Sequence, residues 1–163
     1  MMKTGLKLLL LSAVTLVSAQ WRNYQDLPDS YKTHIDKALK EANKNFGGSD
    51  HVAYENVLST KFTEKGYYLN VRLMVSTCTK DEKKGYGYRE ECVTKKSQKP
   101  VILCAVCNKH DGGELTECAK LKELKKRREI QNKCSVFYFP GSEHPLFLKT
   151  GDNERDFECL GCV

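Results

Sequence analysis

The most reactive side chains in this chain of 163 residues are its eight cysteines, and all of them follow residue 77. Cys104 and Cys107, and again Cys159 and Cys162, have the spacing Cys-x-x-Cys. Thiolates so placed can hold zinc in a ribbon, or the same thiols can be oxidised to disulfides. The compartment decides between these chemistries, and the N-terminus addresses the compartment. Lys3 and Lys7 precede the mostly apolar run Leu8 to Val17, and the small residues Ser18 and Ala19 follow. That three-part pattern is a secretory signal peptide, residues 1–19, with the cut after Ala19. The run is too short to span a bilayer comfortably. An even cysteine count in an exported chain points to disulfides. Oxidation removes the thiolates that zinc requires, so neither a metal nor another cofactor is expected. Which cysteines pair is not decided by spacing.

Two further stretches carry chemistry. The run Lys120 to Glu129 reads KLKELKKRRE, and as a helix it groups Lys122, Lys125 and Lys126 near one face, with Leu121 and Leu124 on another. Together with Arg127 and Arg128 it forms a polyanion-binding candidate. Sulfated glycans or bacterial membranes are its physical partners, unless it is simply a solvated loop. Nucleic acid is not expected outside the cell, and the run lacks interleaved aromatics. The second stretch is CSVFYFPGSEHPLF, from Cys134 to Phe147. It sets three consecutive aromatics before Pro140 and Gly141. No Gly-x-Ser-x-Gly, His-Glu-x-x-His or phosphate loop occurs. His34, His51, His110 and His144 are scattered. The chain therefore does not read as an enzyme.

The elements that must position these groups are legible in outline. Residues 20–163 suit one domain. The formal charge of +6 falls by the two lysines lost with the signal, Lys3 and Lys7, and so modest an excess does not itself imply a nucleic-acid partner. Asp29 and Ser30 are N-cap types, and Tyr31, Ile35, Ala38, Leu39, Ala42 and Phe46 recur at helical spacing. Gly47 and Gly48 supply a stop, so the spacing predicts a helix over 30–46. Residues 51–62 and 66–78 read as strands joined by the turn Thr63-Glu64-Lys65-Gly66. In the second strand, Tyr67, Leu69, Val71, Leu73 and Val75 alternate with Tyr68, Asn70, Arg72, Met74 and Ser76. Residues 100–107 form a third strand and Ser135 to Phe139 a candidate fourth. Residues 79–91 and 108–117 are expected as loops. The class is α+β, one helix lying across an antiparallel sheet.

This arrangement, with its disulfides confined to the second half, resembles the cystatin-like fold of cystatins, cathelicidin precursors and chemerins. The cystatin inhibitor motifs are missing. The first hairpin reads LSTKFTEKGYY without a Gln-x-Val-x-Gly tip, and Trp21 stands away from any proline. Cathelicidin precursors release a cationic peptide. The tail here is acidic, with Glu143, Asp152, Glu154, Asp156 and Glu158 against Lys149 and Arg155. Chemerin-like proteins match better. Their cysteine framework maps in order onto Cys78, Cys92, Cys104, Cys107, Cys118 and Cys134. The Phe-Tyr-Phe-Pro-Gly that follows their sixth cysteine reads VFYFPG here, at 136–141.

The resemblance implies a curved antiparallel sheet crossed by the helix, and the pairs Cys78–Cys92, Cys104–Cys118 and Cys107–Cys134. It implies a domain over 20–141 and a flexible tail over 142–163 that extracellular proteases trim. The trimmed end would activate a chemokine-like G-protein-coupled receptor in chemotaxis, inflammation and adipokine signalling. Tyr138, Phe139, Pro140, Gly141, Leu146 and Phe147 would then be receptor-binding, with activating cuts after Phe147, Leu148 or Lys149. Phe137 and Phe139 would anchor the peptide's base, and Pro140 with Gly141 would turn it outward. The chain departs from that family in carrying one aromatic in SEHPLFLK and in adding Cys159 and Cys162. A secreted host-defence protein on the same scaffold is the competing expectation.

Overall fold

The structure, a computed structural model, describes residues 22–137. The signal segment with Ala19, the residues from Tyr138 to Lys149, and Cys159 and Cys162 lie outside the described residues. A short 3-10 turn, Tyr24–Asp26, precedes helix α1, Asp29–Asn45. Pro28, rather than Asp29 or Ser30, holds the N-cap position, and no side chain caps it. The Pro28 carbonyl accepts from the amides of both Tyr31 and Lys32, so the helix begins one residue before the expected start. Asp29 then stands in the first turn, where its charge favours the helix dipole. Phe46 leaves the helix in extended geometry. Gly47 follows at φ +83, and a Cβ there would lie 2.6 Å from the Asp50 carbonyl oxygen. This is the stop the glycines predict.

Strands β1, Asp50–Thr63, and β2, Gly66–Thr79, form the long hairpin, closed at the Thr63–Gly66 pair. Three register irregularities along β1 interrupt the ladder and bend the hairpin, since an extra residue on one strand increases local twist. β3, Val101–Asn108, pairs with β2, and β4, Glu114–Lys120, pairs with β3. The sheet is antiparallel in the order β1-β2-β3-β4.

The fourth strand is therefore not where the sequence placed it. Its first residues, Glu114 to Glu117, fall inside the loop expected over 108–117. Its apolar positions become visible only through their partners: Cys118 stands opposite Cys104, and Ala119 opposite Leu103. The expected strand at 135–139 begins instead as a 3-10 turn, Ser135–Phe137. A second helix, α2, Leu124–Asn132, lies between.

Both sheet faces carry a core. On the first, Ile35, Ala38, Leu39 and Ala42 of α1 pack on Val52, Val57, Leu69, Val71, Leu73, Ile102 and Val106. On the second, Ile130 of α2 and Val136 pack with Tyr68, Ala105, Cys107, Leu115 and Ala119. The two-residue period of β2 sends alternate side chains to these two cores. Three disulfides staple the second half: Cys78–Cys92, Cys104–Cys118 and Cys107–Cys134. They are the pairs the family framework implies. With them oxidised, the Cys104 and Cys107 sulfurs are unavailable to zinc.

Candidate functional site: the base of the C-terminal segment

The described chain ends at Phe137, and several independent restraints hold that end in place. Cys107 lies on the second face because β3 alternates, and its bridge to Cys134 draws the chain leaving α2 back onto the sheet. The Lys109–Cys134 β-bridge adds a backbone tie. Ser135 Oγ donates to the Lys65 carbonyl at 2.7 Å, and the Phe137 amide donates to the Cys134 carbonyl at 3.1 Å. The Phe137 ring meets Tyr68 edge-on, centroids 4.8 Å apart at 84°. Lys61 Nζ lies 4.8 Å from the Phe137 ring centre. Edge-to-face aromatic and cation–π contacts each contribute roughly 0.5–1.5 kcal/mol beyond area burial. Burial pushes the Tyr68 hydroxyl up to about 12, against the pull of the nearby Arg127 charge, so Tyr68 stays neutral beneath Phe137.

The hairpin tip that meets this turn is sterically specified. Gly66 has φ +133, and a Cβ there would lie 2.5 Å from Asn108 Oδ1. That oxygen accepts the Tyr67 amide at 2.9 Å. Only glycine lets the β2 entrance and the end of β3 approach so closely. Lys65, whose carbonyl receives Ser135, is thereby positioned by its neighbour.

The basic run is divided by the fold. Helix α2 begins at Leu124, so Lys122 and Leu121 precede it instead of sharing its faces. Lys122, Lys125 and Lys126 border an open hollow of about 740 Å³ together with Lys133, but Glu117, Glu123 and Glu129 line it too. Lys133 Nζ is 2.7 Å from Glu117 Oε1. Arg127 and Arg128 lie on the other side, above Tyr68, Asn70, Leu103 and Ala105. The Arg127 guanidinium donates to the Leu121 carbonyl at 2.9 Å. The five basic residues singled out in the sequence thus face two surfaces. Ile130, 4 % exposed, pins the helix between them.

A polar row on the second sheet face went unrecognised at the level of sequence. β2 places Asn70 and Arg72 between Tyr68 and Met74, and the register sets Ser59 opposite Asn70 and Asn56 opposite Arg72. The signal was in the alternation of β2 itself, where the second set of residues is not uniformly apolar.

Two histidines, one buried and one half-buried, give the domain a definite acid response. His51 is fully buried on β1. Burial lowers its pKa, and the Arg89 charge lowers it further, against the opposing effects of a hydrogen bond to the Gly87 backbone and of the Glu91 charge. His34 is also depressed by burial, which outweighs the attraction of Glu114. Burial pushes Glu114 up, but the Lys37 ammonium at 2.6 Å and the Tyr67 hydroxyl hold its carboxyl below the usual range. A histidine with a depressed folded pKa contributes stability that is complete above the unfolded value near 6.5 and is lost as pH falls below it. Glu114 extends the loss below about 4.5 in the same direction. The urea midpoint should therefore fall between pH 7.5 and pH 5.5. In His51→Leu, which titrates nothing there, the fall should be visibly smaller; an unchanged slope would exclude His51 as its source.

No family model matches the sequence. A cystatin-like protein from Clarias batrachus is 38% identical over 167 residues, an alignment spanning 99% of this chain and 100% of that relative. Its extent takes in the helix, the sheet and all six bridged cysteines. Three disulfides on such a scaffold fit an oxidising, extracellular compartment. With this identity over essentially the whole length, the chain belongs to the cystatin-like proteins.

Proposed function

We propose that this cystatin-like protein is a secreted, chemerin-like precursor. Its C-terminally trimmed form is a chemoattractant and adipokine ligand of a chemokine-like G-protein-coupled receptor, acting in inflammation and metabolic signalling. It works as a ligand, not as an enzyme. The observation that carries the reading is the base at Phe137. A bridge, a backbone tie and two ring contacts hold it against β2, so the aromatic segment Tyr138-Phe139-Pro140-Gly141 starts from a fixed point.

A short peptide ending near Phe147 can place apolar groups in a receptor pocket. The continuing chain would take Asp152, Glu154, Asp156 and Glu158 into it as well, and charge is costly to desolvate. Cutting after Phe147, Leu148 or Lys149 by an extracellular protease removes all four acids together with Cys159 and Cys162. The hairpin tip Thr63-Glu64-Lys65-Gly66 is charged and lacks the inhibitor motif, which disfavours a papain-directed role.

A length series tests this reading. Chains ending at Phe147, Lys149 and Val163 should differ in receptor-dependent calcium flux and leukocyte migration, with one shortened form at least about ten-fold more potent than the full chain, near 1.4 kcal/mol. Silence from all three chains, with bacterial killing by a peptide covering Lys120 to Lys133, would replace the reading by one of host defence through Lys122, Lys125, Lys126, Arg127 and Arg128.

A further inference from the structure

The N-terminal turn is held to the domain by an aromatic contact that the ligand reading does not use. The Tyr24 and Tyr88 rings stack face to face, with centroids 3.7 Å apart and planes 7° from parallel. Tyr54 meets Tyr24 edge-on, at 5.8 Å and 71°. Among the described residues, no other two tyrosines stack in parallel. Tyr24 is buried, whereas Tyr88 is half-buried and reaches solvent. Tyr88 lies in the loop after β2 that the Cys78–Cys92 bridge closes. One carboxylate serves both residues: Asp36 Oδ1 of α1 accepts the Tyr24 hydroxyl at 3.1 Å and the Tyr88 amide at 3.2 Å. Lys32 Nζ lies 5.9 Å from the Tyr24 ring centre. A phenol gives up an electron readily when its hydroxyl proton leaves too. The Lys32 ammonium opposes a positive ring, and Asp36 is placed to take the proton.

We propose that Tyr24 and Tyr88 are an oxidative cross-linking site, at which a haem peroxidase using hydrogen peroxide joins the two rings as dityrosine. Each phenol loses one electron and its hydroxyl proton, the Tyr24 proton passing to Asp36. The two phenoxyl radicals couple through a new carbon–carbon bond between ring positions adjacent to the hydroxyls. The hydrogen on each coupled carbon then moves to the phenolic oxygen and restores the hydroxyl. The two electrons and two protons released reduce one hydrogen peroxide to two waters. Tyr88 is the member the oxidant reaches, and the stack carries the oxidation inward to Tyr24.

Geometry selects this pair over the other tyrosines. Rings held in contact react as though at high concentration, and Tyr54 stands farther from Tyr24 than Tyr88 does. Tyr31 and Tyr68 face phenylalanines, and Tyr67 faces His34, so none of those contacts supplies a second phenol. The product ties the N-terminal turn to the loop after β2. It closes a longer loop than any of the three disulfides, and longer closed loops remove more unfolded-state entropy. Tyr24 belongs to the core beneath α1 and Phe137 to the core of the opposite sheet face, so the site stands or falls apart from the ligand reading.

The test treats dilute chain 20–163, its disulfides formed, with a haem peroxidase and hydrogen peroxide. Dityrosine fluorescence should appear in the monomer. Mass spectrometry of a tryptic digest should find the peptides carrying residues 24 and 88 joined, lighter by two hydrogens than their sum. The urea midpoint of the treated protein should rise. Tyr24→Phe keeps a stacking ring without the phenol, and it should lower monomer dityrosine by at least about ten-fold, since the held geometry supplies the effective concentration. Tyr88→Phe repeats the comparison at the solvent-reaching position without disturbing a buried residue. Tyr54→Phe should leave the yield unchanged. Asp36→Asn keeps a hydrogen-bonding group but no base, and it should slow the cross-link by at least about ten-fold. Dityrosine formed only between chains would overturn the proposal. So would equal yields in the wild type and both phenylalanine variants at 24 and 88, or a bridge through Tyr54 or Tyr86 instead. An unchanged rate in Asp36→Asn would overturn the proton route.

Discussion

Replacing Asn43 by leucine should lower the unfolding free energy by about 3–5 kcal/mol, the sum of unmet buried backbone groups and a poor fit in a polar niche. Asn43 is 2 % exposed and sits in α1. Its Nδ2 donates to the carbonyls of Leu39 at 3.0 Å, Val52 at 2.9 Å and Tyr86 at 3.3 Å. Its Oδ1 accepts the Val52 amide at 2.7 Å. One side chain therefore joins the helix, the first strand and the loop after β2. Leucine cannot replace any of these bonds, and the Val52 amide would have no water to turn to. Asn43→Asp retains the acceptor but loses both donors and turns a buried carboxylate toward three carbonyl oxygens, so above the carboxylate range it should cost at least as much as leucine. Urea denaturation of the oxidised protein measures both. A loss below about 1 kcal/mol for leucine would mean that the loop carrying Tyr86 repacks and the latch is not a latch.

The second large effect is expected at the Cys107–Cys134 bridge. It spans 27 residues, against 14 for each of the other two, and longer loops lose more unfolded-state entropy when closed. Cys107→Ala/Cys134→Ala should cost about 3–4 kcal/mol. It should also loosen the segment from Lys133 onward, since the remaining ties are the Lys133–Glu117 ion pair, the His110–Lys133 and Ser135–Lys65 hydrogen bonds, the β-bridge and the ring contacts. Limited trypsin digestion should then cut at Lys133 faster than in the wild type, where cleavage at that residue requires the turn to open. Cys78→Ala/Cys92→Ala should cost less and leave Lys133 protected, because that bridge closes the loop after β2 at the other end of the hairpin. Equal digestion at Lys133 in both variants would show that the bridge does not hold the base. The same double variant should weaken any receptor activity of the trimmed form, for the peptide would lose its fixed start.

These two effects differ in how far the sequence announced them. The cysteine bridge rested on six residues whose order matches a known framework, and the structure pairs them in that order. Asn43 carried no signal. An asparagine in an amphipathic helix reads as solvent-facing, and its burial depends on Val52 and Tyr86 arriving from elsewhere in the chain. The same division applies to the elements. Helix α1 and the β1–β2 hairpin follow from local period and from glycines, whose conformational reach is a property of the residue itself. β4 and the Ser135–Phe137 turn follow from pairing. Glu114 to Lys120 is a strand because Cys118 must face Cys104. Ser135 to Phe137 is not one, because the bridge to Cys107 turns the chain across the sheet instead of along it.

The site shows this most plainly. By itself the sequence determined the cationic content of residues 120–128, the aromatic content of 136–139 and the acidity of the tail, because composition needs no partner. Only the tertiary structure decided that Arg127 and Arg128 part from Lys122, Lys125 and Lys126, and that Phe137 rests on Tyr68. Which charges share a surface depends on where a helix meets a sheet. That is set by the burial of Ile130 and the reach of one disulfide, contacts between residues far apart in the chain.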